Sequence, residues 1–120
     1  MKKTLNVLGT VYRVEVHKYK DDPLFEREHI IGYCDDNRKL LVGCDLTTHP
    51  GYVGAPAEST DANLRETMRH EVVHAFLAES GLNACALTYT DAWTSNEEMV
   101  DWFAVQGPKI AKAWAELGVA

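Results

Sequence analysis

The stretch His70-Glu71-Val72-Val73-His74 decides how the rest of this chain is read. A helix turns about 100° per residue, so residues four apart stand one above the other, roughly 6 Å along the axis. His70 and His74 then share a face and can chelate one metal ion. Glu71, about 100° around the same helix, can reach a water on that ion without being a ligand itself. Zinc suits this set, because imidazole and carboxylate both ligate it well and a catalytic site keeps one position for water. The chain's His and Glu frequencies give an accidental HExxH at about 2%. The competing reading is a pair of core histidines satisfied by backbone carbonyls, since burying these groups unpaired is costly.

Working outward, Ser59, Thr60 or Asp61 can cap a helix that runs to Glu79 or Ser80 and stops at Gly81. Leu64, Met68, Val72, Val73, Ala75, Phe76 and Leu77 cover most of its circumference, the pattern of an interior helix. After a connector from Leu82 to Thr94, Ser95 and Glu98 have capping-box spacing at the start of a second helix. This helix runs to about Gln106, meets Gly107-Pro108, and resumes or kinks into Lys109 to Leu117. Two histidines need a third ligand, and the second helix supplies carboxylates at Glu97, Glu98 and Asp101. Glu97 continues the stripe Val100, Phe103, Gly107, Ile110 and is the third-ligand candidate, whereas Glu98 falls on another side and caps. Asp101, one turn on, is placed to accept a ring N–H from a ligating histidine and set its tautomer.

The first half is β-rich. Leu5/Val7 and Tyr12/Val14/Val16 alternate with polar residues as half-buried strands do, with Gly9-Thr10 marking a bend or bulge. Lys18 to Glu28 reads as a loop or short helical turn. The runs His29–Cys34 and Lys39–Cys44 flank Asp35-Asp36-Asn37-Arg38 as a hairpin, and Thr47 to Pro56 is loop. The expected fold is α+β and zincin-like: a small antiparallel or mixed sheet packed on the HExxH helix and on a C-terminal helix carrying the glutamate ligand. Residues 1–120 are expected to form a single domain.

Composition narrows the partners. Apolar residues make up 46% and charged residues 25%, as in a soluble globular domain. No apolar run reaches the ~18 residues that cross a bilayer. The net charge of −6 argues against nucleic acid, which needs clustered Lys and Arg. Cys34, Cys44 and Cys85 are an odd, sparse set without a CxxC, the usage of a reducing compartment. The basic start Met1-Lys2-Lys3 leads into a broken apolar stretch that reads as a strand, so a cytoplasmic location is expected. Trp93, Trp102 and Trp114 read as core-filling residues, and each thiol reads either as buried or as a blocking zinc ligand.

His70-Glu71-Val72-Val73-His74, followed by Asn96-Glu97-Glu98-Met99-Val100-Asp101, resembles the gluzincin pattern HExxH…NExxxD of thermolysin-like zinc peptidases. Glu97 to Ala104 also resembles the E-x-x-A-N-x-F-A helix of the ImmA/IrrE-like metallopeptidases, many carried by bacteria and phages, with Val100 and Asp101 departing from it. The metzincin pattern fails, because Leu77 and Ser80 occupy its Gly and third His positions. The resemblance implies one zinc per chain on His70, His74 and Glu97, with Glu71 as general base and Asp101 behind a histidine. It implies hydrolysis of peptide bonds in a peptide or protein substrate by a zinc-bound water that Glu71 activates. It also implies a Tyr or His near the developing oxyanion, for which His49 and Tyr89 are candidates and Tyr33 and Tyr52 stay open. Substrate is expected along an exposed edge strand. Two readings from other classes remain: a non-proteolytic regulatory or partner-binding zinc module, and a zinc-stabilised structural domain with four protein ligands.

Overall fold

The computed structural model describes residues 1–81 and 96–117. Thr4–Val7 (β1) and Thr10–Lys18 (β2) form an antiparallel hairpin with Leu5 opposite Tyr12. Its turn is Leu8-Gly9, with φ of 51° and 94°, the pair of positive φ values a two-residue hairpin requires. Asn6 Oδ1 accepts the Gly9 N–H at 2.9 Å. The bend or bulge expected at Gly9-Thr10 is thus a full chain reversal. Both arms send apolar residues to one face, and the alternation shifts phase by one residue between Val7 and Tyr12, a slip that a bulge and a reversal both produce.

A 3₁₀ turn at Tyr19–Asp21 leads into a short helix, Pro23–Arg27 (α1), with Pro23 in its first turn and Asp22 capping Leu24 N–H. Gly32–Asp35 (β3) and Leu40–Asp45 (β4) are the expected hairpin. β4 inserts between its predecessors, pairing parallel with β2 and antiparallel with β3, so the sheet is mixed with order β1-β2-β4-β3. Residues Leu40 to Cys44 are all buried, as expected of a central strand covered on both faces. On one face Phe25, Leu40, Val42, Cys44 and Leu46 form a cluster under α1. The other face packs Val7, Tyr12 and Leu41 against Met68 and Ala75 of a long helix, Ala57–Glu79 (α2). The chain is α+β, and among the described residues no helix is long and apolar enough to cross a membrane.

Two polar knots tie the layers. Asp22, only 6% exposed, accepts from Tyr33 Oη and faces His17 Nδ1, each at 2.7 Å, while His17 Nε2 faces Glu15 at 2.8 Å. Burial opposes charge on His17, but its bonds to the two carboxylates outweigh it and raise its pKa above 6.5. At the C-terminal end of α2, Glu79 accepts from Thr10 Oγ1, Tyr12 Oη and Lys39 Nζ at 3.0, 2.8 and 2.6 Å.

α2 begins at Ala57, after Pro56 and with no side-chain cap, earlier than Ser59, Thr60 or Asp61. It ends at Glu79 with Gly81 at φ 85°, as expected. It is not apolar-covered all round: Phe76 stays 42% exposed, because the sheet takes one side and the last helix a second. That last helix, Glu97–Leu117 (α3), is capped by Asn96, whose Oδ1 accepts from Met99 N at 3.0 Å. Ser95, the expected partner of Glu98 in a capping box, lies outside the described residues, and Glu98 sits in the first turn. The buried face of α3 is Val100 and Ala104, whereas Trp102 and Phe103 are 54% and 41% exposed and stack on each other. The core roles expected of Trp102 and Phe103 are corrected accordingly; Trp93 and the side chain of Trp114 lie outside the described residues.

Pro108 does not break α3. A proline lacks the N–H that would bond the carbonyl four residues back, here the carbonyl of Ala104, which is 1% exposed. Arg69 of α2 donates its Nε–H to that oxygen at 2.9 Å. The orphan acceptor is satisfied from the neighbouring helix, and the two helices are linked at that point. An unsatisfied buried carbonyl costs roughly 1–3 kcal/mol, so Arg69→Met is expected to destabilise the fold by about that much. In a Pro108→Ala background, where residue 108 regains its N–H, the same substitution should cost measurably less. Denaturant unfolding of the four-variant cycle checks this, and strict additivity would refute the link.

Candidate metal centre

α2 and α3 meet with His70 and His74 facing Glu97. The two rings lie edge to face, 4.9 Å apart, with their Nε2 atoms separated by 3.1 Å. Glu97 places Oε2 3.1 Å from His70 Nε2 and Oε1 3.3 Å from His74 Nε2. Tetrahedral zinc with bonds of about 2.0–2.1 Å sets neighbouring donors about 3.3 Å apart, close to these three separations. Behind the triangle, Asp101 Oδ1 lies 3.2 Å from His70 Nδ1. That contact assigns the proton of neutral His70 to Nδ1 and turns the Nε2 lone pair toward His74 and Glu97. That lone pair and the Glu97 carboxylate are both acceptors and could hold a metal ion between them. Burial holds His74 below its ordinary 6.5, favouring the neutral, ligating imidazole; His70 adds to this and the Glu97 charge opposes it.

Glu71 is 5% exposed, and its donor atom lies within 4.8 Å of those of both histidines. It makes no hydrogen bond with a described residue. Burial pushes its carboxyl up to about 7, with His70 working against the shift and Glu97 adding to it. A carboxyl poised near neutrality is suited to taking and returning a proton. Glu97 and Asp101 have side chains 68% and 59% exposed, so the centre is open to solvent on the α3 side.

The seat of Glu71 is made by two glycines. Gly32 of β3 and Gly43 of β4 are cross-strand partners and face α2. A Cβ on Gly32 would lie 2.5 Å from Thr67 Cγ2 and 3.5 Å from Glu71 Oε2; one on Gly43 would meet Leu64 Cδ1 and Met68 Sδ at 2.7 Å. Their missing side chains let the helix approach the sheet closely enough to bury Glu71 against β3. Two cavities of about 510 and 470 Å³ meet at His70 and Glu71 and share Ile30 and Gly32 of the edge-strand side. Together they form a cleft along β3.

His70, Glu71, His74, Glu97 and Asp101 are thus brought together as the sequence suggests. His49 is not: it sits between the rings of Tyr19 and Tyr52, at 4.5 and 5.2 Å, and its Nδ1 accepts from Gly51 N. The chain after β4 folds into two 3₁₀ turns that hold this imidazole in an aromatic stack rather than in the cleft. Tyr52 belongs to the same stack, Tyr33 has its hydroxyl committed to Asp22, and Tyr89 lies outside the described residues. Cys34 lines the cleft, where burial first and the Glu71 charge second push its thiol up to about 12, so the free group is the thiol. Cys44 is wholly buried in the core under α1, and Cys85 lies outside the described residues. Sequence reasoning missed the glycine pair, whose one signal is a glycine inside each of two apolar strands. No family model, curated protein or solved structure matches the chain.

Because Thr67 is stiff and branched whereas Leu64 and Met68 can turn aside, Gly32→Ala is expected to cost more than Gly43→Ala. The cost should be about 1–3 kcal/mol, with displacement of α2 from β3. Comparative thermal unfolding of the two variants checks the order.

Proposed function

We propose that this protein is a zinc-dependent peptidase of the gluzincin type, similar to the ImmA/IrrE-like enzymes. The observation that carries the reading is the donor triangle of His70, His74 and Glu97 at 3.1–3.3 Å with a buried carboxyl, Glu71, beside it. A purely structural metal site has no use for an unbonded acid at that position, and burying one is costly. His70, His74 and Glu97 would hold the ion, and Asp101 would keep His70 in the ligating tautomer. When bound, zinc supplies Lewis-acid polarisation of a carbonyl and lowers the pKa of a water.

Glu71 takes a proton from the attacking water as the new C–O bond forms. It then delivers that proton to the amine nitrogen as the C–N bond breaks, so the carboxylate is regenerated. The substrate backbone lies along β3, which among the described residues pairs with β4 alone and lines the cleft through Gly32 and Cys34. The water-exposed flank at Glu97 and Asp101 leaves room for the departing chain.

Zinc titration is expected to give one tight site per chain, abolished in His70→Ala and His74→Ala and weakened by orders of magnitude in Glu97→Ala. Asp101→Ala should lose about 10- to 100-fold in affinity. Retention of full affinity by Glu97→Ala would exclude the triangle as the site.

Glu71→Gln should keep zinc and fold while losing peptide hydrolysis by about 10²-fold or more. A zinc-loaded wild type that cleaves nothing in a broad peptide library, yet binds a partner tightly, would favour the non-proteolytic module instead.

A further inference from the structure

The charge of the cleft is one-sided. Its described lining carries five carboxyl groups, Asp36, Glu66, Glu71, Glu97 and Asp101, and no lysine or arginine. Three of these serve the metal centre. The other two, both half-buried, stand at opposite ends, Asp36 beyond β3 and Glu66 on α2 one turn before His70. Glu66 forms no ion pair or hydrogen bond with a described residue, although Arg65 and Arg69 flank it in sequence. Arg65 pairs with Asp61 at 2.8 Å, and Arg69 bonds Ala104. At the Glu66 end, Ile30 and Ile31 offer apolar surface, with Asn63 and Thr67 as polar neighbours. At the centre, Glu71 is 5% exposed, makes no hydrogen bond with a described residue, and lines both cavities.

We propose that the cleft selects cationic peptides, and that Glu66 is the specificity-determining residue for an arginine or lysine side chain on its side of the cut. The long aliphatic stem of such a side chain packs on Ile30 and Ile31 while its head reaches the Glu66 carboxylate. A divalent ion would neutralise charge only at the centre, among Glu71, Glu97 and Asp101, which leaves Asp36 and Glu66 at the two ends unneutralised. A substrate carboxylate at either end would meet like charge in a partly desolvated groove, so acidic sequences are excluded by repulsion.

This inference rests on the peptidase reading, and the test separates the two. Peptide pairs differing only in arginine against citrulline, which keeps the shape and removes the charge, are scanned through the residues flanking the cut with zinc-loaded protein. Binding of the same pairs to Glu71→Gln protein is followed by fluorescence anisotropy. At the position facing Glu66, arginine should be favoured about tenfold in kcat/KM and in affinity, less at high salt. Glu66→Gln should bring that ratio close to one, and Glu66→Lys should invert it. Equal treatment of arginine and citrulline by the wild type, or an unchanged ratio in Glu66→Gln, overturns the proposal. If nothing is cleaved but arginine peptides bind preferentially and lose that preference in Glu66→Gln, hydrolysis fails and the selectivity stands. Equal binding in the absence of cleavage overturns the selectivity as well.

Discussion

The close approach of α2 to the β3–β4 hairpin is the constraint on which the rest of the molecule depends. It is set by what is missing: no Cβ at Gly32 and none at Gly43, two residues directly across from each other. With the helix seated there, Met68 and Ala75 complete the core over Val7, Tyr12 and Leu41, and Glu71 is carried out of water against the edge strand. The same seating turns His70 and His74, one step round the helix, toward the cleft. Burial of the acid and orientation of the imidazoles are one packing event, and the elevated pKa of Glu71 is its electrostatic consequence.

Two further links hold α2 in that position. At its C-terminal end, Glu79 gathers three donors from both hairpins, including the buried Tyr12, so the helix end is fastened to the sheet by charge-assisted bonds. On its outer side, Arg69 completes the hydrogen bonding that Pro108 leaves open in α3. A proline that would ordinarily weaken a helix interior here creates an acceptor that one particular residue of the neighbouring helix fills. Since α3 carries Glu97 and Asp101, this backbone bond acts at a distance on the candidate metal centre. It holds the third donor and the carboxylate behind His70 within reach of the α2 histidines.

Electrostatically the molecule keeps its functions apart. The Asp22–His17–Glu15 knot and the Glu79 knot pair each carboxylate with a cation or several donors. Of the cleft acids, Glu97 and Asp101 face the two histidines, and Glu66 and Glu71 stand unpartnered among the described residues.

Much of this could be read from the chain directly. The i, i+4 histidines, the adjacent Glu71, the choice of Glu97 over Glu98 and the support from Asp101 all follow from helical periodicity, because one helix is a rigid ruler. The β3–β4 hairpin follows from two apolar runs around an Asp/Asn-rich turn. What depends on contacts between distant segments was not legible. The alternation shifts phase between Val7 and Tyr12, but a one-residue slip fits a bulge as well as the Leu8-Gly9 reversal, and only the strand pairing separates the two. Apolar counting put Phe76, Trp102 and Phe103 inside, but only packing decides which apolar residues find a partner surface. His49 looked suitable by residue type and lies in an aromatic stack away from the cleft. The glycine pair and the Arg69–Ala104 bond join residues 11 and 35 positions apart. Residue type and local period singled out the candidate groups; the tertiary structure alone decided which of them meet, because meeting is fixed by close packing between elements that share no sequence period.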